Sequence, residues 1–145
     1  MTADLPSLTL VRRIKAPPSK VYAACTRPEQ IARWWGPDAG PVLIAETDVR
    51  PGGRFRVLFQ TLDGSQHDCG GVYRVVEPDR RLEFTWVWVG QTDPDTLVTI
   101  ELRPVTEGTE LTFTHAQFAN EPERDGHRRG WTGSLDKLER LFAEP

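Results

Sequence analysis

Long apolar runs are missing from this sequence, and so is any excess of one charge. None of its 145 residues belongs to an apolar stretch near bilayer-spanning length, and the start, MTADLPSLTL, has no basic region leading into an apolar one. The chain is therefore expected to be cytoplasmic and to have no membrane partner. With 18 Lys and Arg against 21 Asp and Glu, the formal charge is −3 and the signs are interspersed, which leaves no electrostatic footprint for nucleic acid. Cysteine is scarce too: Cys25 and Cys69 are isolated, and in a chain without an export signal they read as reduced, packed thiols. His67 and Cys69 stand two apart with no second pair at metal-ligand spacing, so no metal and no cofactor are expected. Ser134 lacks a G-x-S-x-G elbow, and Gly52-Gly53 precedes a strand pattern rather than a helix, which argues against a hydrolase nucleophile and a phosphate loop.

What the sequence does have is patterning. From Gly126 to Phe142, Trp131, Leu135, Leu138 and Phe142 recur at helical steps and form one stripe, made uneven by Gly130 and Gly133. An uneven apolar face needs a broad surface to lie on, and the upstream pattern supplies one. Leu8 to Ile14 reads as a strand closed by Pro17-Pro18. Ser19, as N-cap, opens a short helix through Val21, Tyr22 and Cys25 to Pro28, and Glu29 to Arg33 forms a second that breaks at Trp34-Trp35-Gly36-Pro37. The period then changes to two. Val42 to Glu46, Phe55 to Phe59, Val72 to Val76, Leu82 to Trp88, Val98 to Leu102 and Leu111 to His115 read as strands joined by turns at Pro51-Gly52-Gly53, Asp63-Gly64, Pro78-Asp79 and Glu107-Gly108. One strand, two short helices, about six further strands and one long helix predict an α+β fold in a single domain spanning 1–145.

The ordered pieces PPSKVYAACTRPEQIARWWGP, PGGRFRV, LEFTWVW, LTFTHAQF and GHRRGWTGSLDKLERL resemble the activator of heat-shock-protein-90 ATPase homologue-like family, within the START-like or SRPBCC superfamily. The resemblance runs from about Leu8 to Phe142. It implies the helix-grip fold: a curved antiparallel sheet of about seven strands wrapped around the C-terminal helix, with an apolar cavity between them. That cavity implies a hydrophobic small-molecule ligand. The superfamily's cyclases and dehydratases imply an alternative in which His115 and His127 act as acid and base. The eukaryotic namesake, a co-chaperone, implies a third reading with a chaperone partner, and pairing of two copies through the sheet is a further expectation.

On that scaffold the ligand-binding candidates are the inward-facing residues. The strands offer Phe55, Val57, Phe59, Trp86, Trp88, Phe113 and His115, with Tyr73 subject to a bulge near Gly70-Gly71. The helices offer Trp34 or Trp35, then His127, Trp131 and Leu135. His127 lies four residues before Trp131, so a helix that has begun by then brings it toward His115 at one mouth of the cavity.

Overall fold

The structure, a computed structural model, describes residues 5–92 and 94–143. Seven antiparallel strands form one sheet: β1 (Leu8–Ile14), β2 (Val42–Thr47), β3 (Arg54–Gln60), β4 (Gln66–Glu77), β5 (Arg81–Trp88), β6 (Thr96–Val105) and β7 (Gly108–Ala116). Their order is β1-β7-β6-β5-β4-β3-β2, so β2 to β7 is a continuous meander and β1 joins it at the far edge, with Leu8 opposite His115 and Ile14 opposite Thr109. Short turns leave consecutive strands no other arrangement than antiparallel neighbours. The helices are α1 (Pro18–Thr26), α2 (Pro28–Ile31) and α3 (Glu121–Ala143), and α3 lies across the concave face. This is the helix-grip architecture.

The inner face of the sheet follows the period-two pattern. Val57, Phe84, Ile100, Leu111 and Phe113 are buried there, together with Leu8 and Ile14, beneath Leu135 and Leu138 of α3. Arg12 also points inward, and its guanidinium meets Asp136 and Glu139, which ties the edge strand to the helix.

Four local expectations are corrected. Helix α1 is capped by extended Pro17 with no side-chain bond, and Pro18, already fixed near helical φ, opens it in place of Ser19. α2 stops at Ile31, so the second amphipathic piece is one turn long. Helix α3 starts at Glu121 rather than Gly126, because the Asn120 side chain accepts the N–H of Glu123 at 2.9 Å and caps it, and it runs unbroken through Gly130 and Gly133. Strand β4 begins at Gln66, ahead of the expected Val72, and runs through Gly70-Gly71. A Cβ on Gly71 would stand 1.8 Å from the Thr85 carbonyl oxygen, so glycine here permits close strand approach. The register shift falls later, between Tyr73 and Val75, and Tyr73 stays buried.

Candidate functional site

Trp34 and Trp35 follow the α2 turn with ring centroids 5.6 Å apart, but they take different partners. The Trp34 indole donates to the Ala24 carbonyl at 2.8 Å and is locked into the core against α1. Trp35 turns toward α3 and meets Trp131 edge-on, with centroids 5.1 Å apart. The chain after them is fastened to α3. At Gly36, φ of +105°, a value that favours glycine, lets its N–H donate to Ser134 Oγ at 3.1 Å, while the Ser134 hydroxyl donates to the Gly36 carbonyl at 2.9 Å. The Lys137 ammonium donates to the carbonyls of Trp35 and Asp38, at 3.3 and 2.6 Å. Contact is closest at Gly133, where a Cβ would stand 2.2 Å from the Pro37 carbonyl oxygen.

That fastened loop is one wall of a cavity of about 400 Å³, a size suited to a small organic molecule. Trp35, Gly36 and Pro37 form this wall; Phe59, Thr61, His67, Trp86 and Trp88 come from the sheet and its β3–β4 turn; Pro122, Glu123, Gly126, His127, Gly130, Trp131 and Ser134 come from α3 and its first turn. Pro37 and Pro122 are exposed, so the cavity reaches the surface. A Cβ built on Gly130 would meet nothing within 4 Å, and one on Gly126 would meet only the Arg129 guanidinium at 3.8 Å. The helix leaves space at these two glycines, between the side chains of Glu123, His127, Trp131 and Ser134.

The floor is the pair Trp35 and Trp131. Beyond Trp131 lie Phe113, with centroids 4.5 Å apart, and His115; beyond Trp35 lies Phe55, at 6.3 Å. The Trp131 indole N–H donates to His115 Nδ1 at 3.0 Å. An indole nitrogen can only donate, so Nδ1 accepts and the ring proton sits on Nε2, which donates to Thr96 Oγ1 at 2.7 Å; that hydroxyl donates in turn to the Trp86 carbonyl at 3.1 Å. The relay from Trp131 through His115 and Thr96 is fully partnered, whereas the buried Trp86 Nε1 has no partner among the described residues. Burial, aided by nearby His127, pushes the His115 pKa down to about 2, so the ring is neutral and both nitrogens are occupied.

His127 differs. Its ring packs edge-on against Trp86 at 4.7 Å and near Phe118 and His115, each at 5.0 Å, and it makes no hydrogen bond among the described residues. Burial lowers its pKa to about 4. Across the cavity the His67 ring stacks on Phe59 at 5.1 Å, and its Nε2 lies 3.2 Å from Thr61 Oγ1, whose hydroxyl is 2.6 Å from Asp63. Cys25 and Cys69 are buried free thiols, pushed up to about 12 by burial.

The family described as Activator of Hsp90 ATPase homolog 1-like protein matches residues 15–143. The chain belongs to this family. Among solved structures, protein CV1439 from Chromobacterium violaceum is 30% identical, with 97% of this chain and 99% of that one covered and a TM-score of 0.83. Protein NE0264 from Nitrosomonas europaea is 28% identical, with 97% and 96% covered and a TM-score of 0.79. CalU16 from Micromonospora echinospora is 32% identical, with 96% of this chain and 76% of that one covered and a TM-score of 0.71. No curated protein matches.

In this member of the Activator of Hsp90 ATPase homolog 1-like family, the expected site residues divide. Trp35, Phe59, Trp86, Trp88, His127 and Trp131 line the cavity. Trp34, Phe55, Val57, Tyr73, Phe113, His115 and Leu135 do not, because the Trp35–Trp131 floor, or their own position deeper in the core, separates them from it. Sequence reasoning missed Thr61, His67, Glu123 and Ser134 as lining residues, and the glycine and proline positions beside them. His67 was findable: it is two residues before Cys69 on an inward series of β4 that continues through Gly71 to Tyr73, ahead of the register shift.

No helix among the described residues is long and apolar enough to cross a membrane.

Proposed function

We propose that the protein binds an apolar, ring-containing small molecule in this cavity, as a carrier, sensor or sequestering protein. The observation that carries the reading is the hollow itself: about 400 Å³ walled by four indoles, a phenyl and two imidazoles, with Gly126 and Gly130 of α3 leaving it unfilled. Such a wall favours flat apolar rings, which stack or meet indoles edge-on. Binding is preferred to the cyclase or dehydratase alternative because His115 has both nitrogens engaged and is held neutral, which leaves His127 without an imidazole partner for acid–base exchange. The test is titration with naphthylmethanol, followed by tryptophan fluorescence and native mass spectrometry. Saturable one-to-one binding is expected, and Gly130→Phe, which places a ring in the open space, is expected to abolish it while the protein stays folded. Failure of the wild-type protein to bind this probe and a mixture of hydrophobic metabolites would overturn the reading.

A further inference from the structure

The walls of the cavity carry one formal charge, and it is negative. Among the described lining residues there is no lysine or arginine, and Glu123 is the one carboxylate. The cations nearby are engaged or turned outward: the Lys137 ammonium is held by two carbonyls, Arg124 pairs with Asp125 at 2.9 Å, and Arg128 and Arg129 are exposed. Arg129 passes beside Gly126 without joining the wall. Glu123 forms no ion pair among the described residues, and it stands in the first turn of α3, on the cavity wall. The imidazole of His127, one turn further along the helix, is neutral at physiological pH and brings no compensating positive charge.

Most of the large side chains on the remaining surface are aromatic. Trp35, Trp86, Trp88 and Trp131 surround the hollow, and an indole face carries negative electrostatic potential that attracts cations. An organic anion entering here would leave its hydration shell and find no cation to replace it. An organic ammonium would exchange its shell for indole faces and one carboxylate. Size and shape admit both equally, so the sign of charge discriminates.

We propose that the occupant is an apolar amine bound in its ammonium form, with Glu123 as counter-charge at the mouth, and that the cavity rejects carboxylates of the same shape. The proposal rests on the binding reading above and adds the chemical class. Three probes with one ring system separate the two claims: naphthylmethylammonium, naphthylmethanol and naphthoate, titrated at neutral pH and low salt by calorimetry. The ammonium is expected to bind tightest and the carboxylate weakest, with about tenfold or more between them, the range of a desolvated cation–π contact joined to a part-exposed ion pair. Glu123→Gln keeps the helix-capping geometry and is expected to weaken the ammonium by about threefold while leaving the alcohol unchanged. Naphthoate binding as tightly as the ammonium, or an ammonium affinity indifferent to Glu123→Gln, would overturn the charge assignment while alcohol binding kept the cavity reading intact. If none of the three binds, both readings fall.

Discussion

On one side of the Trp35–Trp131 pair the interior is solid and on the other it is hollow, although large aromatic side chains furnish both. Phe55, Tyr73 and Phe84 interlock on the solid side, with ring centroids such as the 4.9 Å between Phe55 and Phe84, and buried Phe113 packs on Trp131. Phe59, Trp86 and Trp88 face space on the other. The difference lies in what the helix presents. Leu135 and Leu138 fill the solid half, while Gly126 and Gly130 leave the other half empty. Two glycines three residues apart therefore have opposite meanings: Gly133 allows contact, and Gly130 prevents it. A count of bulky residues on the sheet would not have told the halves apart.

The sharpest way to break this division is at the floor. His115→Ala removes the acceptor of the Trp131 N–H and a partner of Thr96 while opening a void, and is expected to cost about 4 kcal/mol by urea denaturation. A loss below about 1 kcal/mol would mean that the floor is not held as described.

Acid sharpens the comparison next. Both histidines have folded pKa values below the ordinary 6.5, His127 at about 4 and His115 at about 2. The unfolded chain therefore takes up protons first. Their stabilisation is complete above about pH 6.5 and is lost as pH falls through 4 toward 2, with His127 alone contributing about 2 kcal/mol of the decline by pH 4.5. His127→Phe should roughly halve the histidine-linked decline between pH 6.5 and 4, where His115 contributes the other half, and an unchanged pH profile would refute the assigned burial.

The smallest effects come from the glycine pair, measured as thermal and urea midpoints. Gly133→Ala forces a methyl into the Pro37 carbonyl and should cost about 1–3 kcal/mol. Gly130→Ala meets open space in a helix and should stabilise by up to about 1 kcal/mol. Equal signs for the two would erase the distinction between hollow and packed.

Strand order, sheet direction and the terminal helix were legible because apolar period is a backbone property: Leu111, Phe113 and His115 alternate inward whatever else surrounds them. The cavity was half legible, since period identifies the face a residue lies on but not its depth. Phe55 and Phe59 share one strand face, yet only Phe59 lies on the cavity side of Trp35. Trp34 and Trp35 were ambiguous because the turn between α2 and β2 has no period at all. Glu123 and Pro122 were invisible for a different reason: the helix start depends on the Asn120 cap, and a reading that began the helix at Gly126 left its first turn outside the site.

The ion pair between Arg12 and Asp136 joins positions 124 residues apart, and it has a consequence for biogenesis. Hairpins from β2 to β7 can form as they emerge from the ribosome, but β1 must wait for β7, and the whole concave surface must wait for α3, which follows every strand. Until that helix docks, the nascent sheet shows wet, sticky aromatic groups to its surroundings. Docking of α3 is thus the contact that chain order places last, and it is the one that covers those groups.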